Sequence, residues 1–269
     1  MKEKIYESER GNVHYWVSND KTNDLPWIIF LPGLTAGHNL FDKQIEYFRS
    51  KYNCLVWDAP AHGKSRPYAM DFTLDEVAKV LHEIIQLEQI EMPIIIGQSY
   101  GAYVTQAYLS LYSEPIRGFV SIDSCPLQKK YYSKWILWWL KHTEGMYRSI
   151  PWKLLIKWSV VGLATSHYGR QNYKSDIEAY QKKYFCKLAG RGFYTVAEAI
   201  ELDRPYPITC PILLLCGEKD AAGFTKNYNK QWSKGEGYEL IMVPNAGHNS
   251  NTDDPDFVNR SIDTFLQKL

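Results

Sequence analysis

Six short apolar runs recur along the chain without polar alternation: WIIFL (27–31), CLVWD (54–58), PIIIG (93–97), GFVSID (118–123), PILLLCG (211–217) and LIMVP (240–244). Each is bounded by Pro, Gly or Asp. Runs of this length and composition suit strands buried on both faces, as in a parallel sheet. An earlier segment alternates instead. Val13, Tyr15 and Val17 point one way, His14 and Trp16 the other, between ERGN and SND. It reads as a strand, the second arm of a hairpin.

Helical spacing fills most of the intervals. Residues 38–50 carry Phe41, Ile45 and Phe48, and residues 74–90 carry Val77, Val80, Leu81, Ile84 and Leu87. The latter helix opens on Thr73 with Glu76 three positions on, a capping box. Segments 100–112, 222–234 and 256–268 complete the set. Strand–helix alternation predicts an α/β fold, a mostly parallel central sheet with helices on both faces and right-handed crossovers. One interval breaks the rhythm. Between SIDS (121–124) and PILLL there is no buried strand, only the helical stretches YYSKWILWWLK, PWKLLIKWSVVGL and SDIEAYQKKYF. Too long for a loop, residues 126–205 read as a helical cap inserted into a core of 1–125 and 206–269.

Composition changes this picture little. The 269 residues are 45% apolar, enough for a sizeable core, and 31 Lys and Arg stand against 30 Asp and Glu. No global field steers the chain toward nucleic acid or an anionic surface, and no apolar run reaches the length of a membrane span. The N-terminal MKEKIYESER lacks the apolar centre of a signal peptide. Five cysteines, an odd number with no C-x-x-C pair, fit a reduced, cytoplasmic protein. Nothing in these features fixes an oligomeric state.

Chemistry concentrates at GQSYG (97–101), which follows the PIII run and precedes a helix. Glycines cost backbone entropy, and a serine adds nothing to packing there. The pattern matches G-x-S-x-G in its required strand–turn–helix setting. Ser99 is then either a helix cap or a nucleophile raised on a tight turn beside a helix N-terminus. A nucleophilic serine needs a base, and the base an orienting acid. His248, in VPNAGHNS, and Asp220, ending LLLCGEKD, each follow a late strand. The C-terminal edge of an open parallel sheet is where catalytic groups gather. The order Ser99, Asp220, His248 is that of one hydrolase fold. Asp123 is a rival acid, because it also ends a strand.

These motifs, with LPGLTAG after the third strand, DAPAHGKS (58–65) and AGH at the histidine, resemble the α/β-hydrolase superfamily, in its cap-bearing serine hydrolase and esterase branch. The resemblance runs over nearly the whole chain. It implies an oxyanion hole made by the backbone N–H groups of Leu34 and Tyr100. Two positions depart from the family pattern: Pro32-Gly33 stands where His-Gly is common, and Gln98 precedes the nucleophile where His is common. Ser99 also sets the chain apart from the dehalogenase and epoxide-hydrolase variants, which place Asp at the nucleophile.

Other motifs carry less. HGKS lacks the glycine that a phosphate loop needs, since position 58 is Asp, and His62 reads as part of a structural turn. His38 marks a helix start or lines the pocket. His142 and His167 lack ligand spacing, so neither a metal nor another cofactor is expected. In the insertion, Trp135, Trp138, Trp139, Trp152 and Trp158 either pack its helices, wall an apolar substrate pocket, or form a membrane-facing lid. The resulting expectation is a serine hydrolase that cleaves an ester or thioester of a small apolar molecule through an acyl-enzyme. The same triad serves C–C bond hydrolases and cofactor-free perhydrolases, and persists as a relic in ligand receptors.

Overall fold

The computed structural model describes residues 1–18 and 25–269. Its strands are β1 (Lys2–Tyr6), β2 (Val13–Val17), β3 (Trp27–Leu31), β4 (Asn53–Trp57), β5 (Ile94–Gln98), β6 (Gly118–Ile122), β7 (Ile212–Gly217) and β8 (Glu239–Val243). They form one sheet in the order β1-β2-β4-β3-β5-β6-β7-β8. β1 and β2 pair antiparallel, β2 meets β4 antiparallel, and the remaining pairs are parallel. The first arm of the hairpin, given no bounds in the sequence pattern, is β1. Its KEKIY carries charge at three of five positions and lies exposed at the sheet edge, where lysines discourage further strand pairing.

The helices around the sheet are α1 (Asp42–Phe48), α2 (Leu74–Leu87), α3 (Tyr100–Leu111), α8 (Thr225–Glu236), α9 (Ser250–Asp253) and α10 (Pro255–Leu266). Successive residues of the central strands point to opposite faces, and the core divides accordingly. Ile28, Phe30, Ile94 and Ile96 pack with Phe41, Phe48, Val258 and Ile262 of α1, its entry and α10. Ile29, Leu31 and Ile95 pack with Val77, Leu81, Val104 and Tyr108 of α2 and α3. The capping box at Thr73 is formed: Glu76 N donates to Thr73 Oγ1, and Thr73 N donates to Glu76 Oε2.

Between β6 and β7 lie α4 (Lys134–Ser149), α5 (Trp152–Leu163), α6 (His167–Glu178) and α7 (Lys182–Glu201). The stretch SDIEAYQKKYF is not one helix. It breaks between Glu178 and Lys182, where buried Tyr180 accepts a hydrogen bond from Gly63 N at 3.1 Å and lies under the Arg66 guanidinium. Helix α7 then runs 20 residues, far past the point where the sequence pattern stops. Gly190 and Gly192 obscure it as helix-weakening residues. Packing demands the first, since a side-chain carbon at Gly190 would strike Cβ and Cα of Glu144; one at Gly192 would meet the tip of Leu34.

The chain leaves β3 toward β4 on one side and later returns to place β5 on the other. Crevices form at such reversals, outside the C-terminal ends of the strands. Here the loop after β3 and the turn after β5 come together: an added Cβ at Gly33 would lie 3.3 Å from Ser99 Cβ. At Gly101 an added Cβ would collide with the Leu31 carbonyl, whereas at Gly145, inside α4, it would meet nothing within 4 Å. The same substitution is therefore expected to act with opposite sign. Gly101→Ala should destabilise by about 3 kcal/mol, roughly 6–12 °C in Tm. Gly145→Ala should stabilise by about 0.5–1 kcal/mol. Thermal melts of the two variants check the pair, and equal shifts would contradict it.

Candidate active site

Ser99 sits between β5 and α3 with φ 48° and ψ −109°, a conformation that non-glycine residues avoid. Several contacts hold it there. Ser99 N donates to Ile122 O of β6 at 2.8 Å, and Ser124 Oγ donates to Ser99 O at 2.8 Å. An added Cβ at Gly97 would fall 2.5 Å from Ala102 N. The two glycines of GQSYG thus allow strand and helix to touch. The Ser99 side chain makes no cap bond to α3. Its Oγ lies 2.9 Å from His248 Nε2 instead.

His248 lies in the loop between β8 and α9, and Asp220 in the loop after β7. His248 Nδ1 is 2.9 Å from Asp220 Oδ2, and Asp220 Oδ1 accepts from Ala222 N at 2.8 Å. A carboxylate at Nδ1 fixes the tautomer with its proton there, leaving Nε2 to accept the Ser99 hydroxyl proton. Burial pushes the imidazole's pKa down. The charge and hydrogen bond of Asp220, with the charge of Asp123 behind them, outweigh it and leave the group above its ordinary value.

The loops bearing these groups are cross-tied. Lys219 N donates to Ala246 O at 2.8 Å, and a side chain at Gly217 would run into Gly247 O. Gln98, the residue before the nucleophile, donates to His248 O at 2.8 Å. Asp253 accepts from Gly247 N, Thr165 N and Ser166 N at 2.7–2.9 Å. Asp123 makes no hydrogen bond to His248. Its two oxygens accept from Gly217 N at 2.7 Å and Ser250 N at 2.9 Å, which ties the Asp220 loop to the His248 loop. Burial, and then the neighbouring Asp220 charge, raise its carboxyl well above the usual range. Asp123, Asp220 and Cys216 cluster closely. All four carboxylate oxygens already accept hydrogen bonds from protein groups, and burial keeps the thiol protonated, so the trio does not fit a metal.

Beside the nucleophile, Leu34 follows Gly33, where an added Cβ would lie 3.3 Å from Ser99 Cβ and overlap Gln98 Oε1. Among the described residues neither Leu34 N nor Tyr100 N donates to a protein acceptor. Helix α6 grips the rest of this loop. Tyr173 OH is 2.9 Å from Thr35 Oγ1, Asn172 Nδ2 donates to Asn39 O at 3.0 Å, and Gly37 N donates to Asp176 Oδ2 at 2.9 Å.

Comparison with known proteins agrees with this architecture. The sequence model of the alpha/beta hydrolase fold matches residues 26–155. A solved enol-lactonase from Burkholderia xenovorans LB400 superposes with a TM-score of 0.76 at 17% identity, over 98% of this chain and all of that one. The chain is an α/β-hydrolase-fold protein. Among curated relatives, human epoxide hydrolase 4 is 24% identical over 95% of this chain and 75% of its own. Haloalkane dehalogenase 2 of Mycobacterium tuberculosis is 23% identical over 96% and 92%.

Other residues of this α/β-hydrolase-fold chain fall outside the crevice chemistry. His38 Nδ1 bonds Asp58 Oδ1 at 2.9 Å, and its ring stacks on Trp16. Trp152 packs on Phe185. Trp135, Trp138, Trp139 and Trp158 are turned outward, the first 63% exposed. A surface cleft of about 490 Å³, lined by Gln128, Lys129, Arg204 and Tyr238 among others, includes none of Ser99, Asp220 and His248. Gln98, Asp253 and the α6 contacts were not legible from sequence, apart from Gln98 standing where the family pattern has His.

His62 is wholly buried beside Tyr100, and burial holds its pKa down to about 4. Its Nδ1 is engaged by Pro60 O, while Nε2 has no partner among the described residues. The unfolded chain protonates near pH 6.5. Stability from this group is therefore full above 6.5 and lost as pH falls toward 4, by up to about 3 kcal/mol. Urea unfolding at pH 7 and 4.5 should show a smaller loss on acidification for His62→Gln than for the wild type. An equal loss would mean that His62 is already charged in the fold.

Proposed function

We propose that the protein is a serine hydrolase cleaving carboxylic esters of small, largely apolar molecules, with Ser99 as nucleophile, His248 as base and Asp220 as orienting acid. The observation that carries this reading is the continuous line from Ser99 Oγ to His248 Nε2 and from Nδ1 to Asp220, 2.9 Å at each step. His248 takes the hydroxyl proton as Ser99 Oγ attacks the ester carbonyl. The tetrahedral oxyanion is stabilised by the amides of Leu34 and Tyr100, which have no other protein acceptor to give up. The protonated His248 then gives its proton to the leaving alcohol. Water, deprotonated by the same imidazole, releases the acid from the acyl-enzyme. Asp220 holds the ring and stabilises its charge throughout.

The relatives named for epoxides and haloalkanes argue for the fold rather than for their reactions. A serine that opened an epoxide or displaced a halide would be left as an alkyl ether, which water does not hydrolyse under these conditions. A carboxylate nucleophile forms an ester that water can cleave. An acyl group on Ser99 is likewise an ester and turns over. The neighbour named as an enol-lactonase acts on a cyclic ester by its name, which supports acyl chemistry on this scaffold. Helices α4–α7 serve as the cap in this reading. The five thiols, none bonded to another, support a reducing compartment, the cytoplasm.

A fluorophosphonate probe followed by intact mass tests the nucleophile, and a panel of p-nitrophenyl esters and acyl thioesters tests the substrate class. Ser99→Ala should lose both labelling and about a millionfold in kcat. Asp220→Asn should lower kcat by about 10⁴ through the wrong histidine tautomer. Asp123→Asn turns an amide donor toward one of two backbone N–H groups. It should cost about 1–3 kcal/mol of stability and much less of kcat. An unreactive Ser99 in the folded wild type would overturn the reading in favour of a ligand receptor.

The rate should also rise with pH as His248 loses its proton. Because Asp220 and Asp123 hold that proton on, the midpoint of kcat/KM should lie above the ordinary histidine value of about 6.5. A flat profile between pH 5 and 8 would rule out His248 as the base.

A further inference from the structure

The exposed apolar residues of α4 and α5 form stripes at helical spacing. On α4 they are Trp135, Trp138, Trp139 and Met146, and on α5 Leu154, Trp158 and Val161. These helices already bury another face: Leu137 and Thr143 of α4 are buried, as are Leu155 and Val160 of α5. Each helix therefore carries a second apolar face with no partner among the described residues. Trp135 stacks on Trp138 with centroids 5.2 Å apart, and Trp139 meets both edge-on within 6.0 Å. Three adjacent indoles in solvent are a costly surface for a chain with no use for them.

Charge is concentrated on the same segment. Residues 126–163 hold seven Lys and Arg against one Glu, while the rest of the chain holds 24 against 29. The near-zero total hides this division. Four of the seven cations are neutralised: Lys129 by Asp203, Lys130 by Glu236, Lys141 by Glu201 and Arg148 by Glu144. Lys134, Lys153 and Lys157 are exposed and make no ion pair among the described residues. They flank the outward tryptophans on the two helices.

We propose that the outer face of α4 and α5 docks on an anionic lipid bilayer. Indoles favour the headgroup region, where an apolar ring and a polar N–H are both accommodated. Lysine stems lie along apolar surface while their ammonium groups reach lipid phosphates. A second copy of the chain is a poorer occupant, because it would bring three more unpaired lysines against the first three. Docking would also have a fixed relation to the His248 loop. Asn249 N donates to Leu163 O at the end of α5, and Thr165 Oγ1 donates to Asn245 O, at 2.8 and 2.9 Å. The His248 loop is thereby held at one end of a helix about 18 Å long whose outer side would rest on the lipid.

This proposal does not depend on the hydrolase reading, and its test measures binding alone. The full chain is sedimented with vesicles of phosphatidylcholine containing 30% phosphatidylglycerol, and with vesicles of pure phosphatidylcholine, in low and high salt. Binding is expected on the anionic vesicles in low salt, with a blue shift of tryptophan emission. It should weaken at least tenfold on neutral vesicles or in high salt. The triple charge reversal Lys134→Glu, Lys153→Glu, Lys157→Glu and the triple truncation Trp135→Ala, Trp138→Ala, Trp139→Ala should each weaken it at least tenfold, with folding checked by circular dichroism. Ser99→Ala should bind as the wild type does. Absence of binding, or binding indifferent to the lysine reversals, would overturn the proposal. So would a lipid-free dimer in sedimentation velocity that the tryptophan truncation dissolves, which would assign the face to self-association.

Discussion

The carbonyl oxygen of Leu31 occupies the space where a side chain on residue 101 would begin. That contact joins the end of β3 to the first turn of α3, and it is possible only because residue 101 is glycine. Strand β5, wedged between them in the chain, must then turn into α3 within one residue. Ser99 absorbs the turn as a positive φ. The hydroxyl projects above the sheet because the backbone below it has no other course. The closeness of the loop after β3 and the position of the α3 N-terminus both follow from this approach.

The loops that bring Asp220 and His248 to Ser99 are held by side-chain hydrogen bonds to their backbone. Asp123 and Asp253 each gather backbone N–H groups from segments distant in sequence, and Gln98 takes the carbonyl of His248 itself. Backbone N–H groups buried at the end of a sheet need partners, and a carboxylate supplies two oxygens at once. The arrangement has an electrostatic side. Burial and then the charge of Asp220 push the Asp123 carboxyl up, and both acids favour a proton on His248. The carboxyl that fastens the loops is thus also part of the field that the imidazole feels.

The central strands were legible because burial on both faces leaves only apolar residues to choose from, and runs such as PIIIG have no other reading. Strand β1 was legible only as the unplaced first arm of a hairpin, without bounds. An edge strand with three charges in five residues has the composition of a loop, and its pairing with β2 is what makes it a strand. The break at 179–181 was hidden because Tyr180 suits a helix locally and is drawn out by a partner, Gly63, more than a hundred residues away. Of the candidate site, Ser99, Asp220 and His248 stand out as residue types that have no packing reason to follow strands. Asp253 and Asp176 look like ordinary surface acids until the loops they hold are seen. For the tryptophans, residue type shows a large apolar side chain but not the direction in which its helix turns it. Four of the five proved to face solvent.

The grip of α6 on the loop after β3 bears on how this molecule can vary. Thr35, Gly37 and Asn39 are each fastened by a residue of α6, and α6 lies within the segment that interrupts the sheet. That segment is therefore not an exchangeable module. A graft that replaced the whole of it would discard three fixings of the loop carrying Leu34, and the transplanted helices would have to supply a hydroxyl, a carboxylate and an amide at matching heights. Among the described residues, helix α4 makes no such hydrogen bond to that loop. Sequence drift and deliberate redesign are freer there, so new surfaces on this scaffold can arise at α4 while the α6 stretch stays bound to the sheet edge it supports.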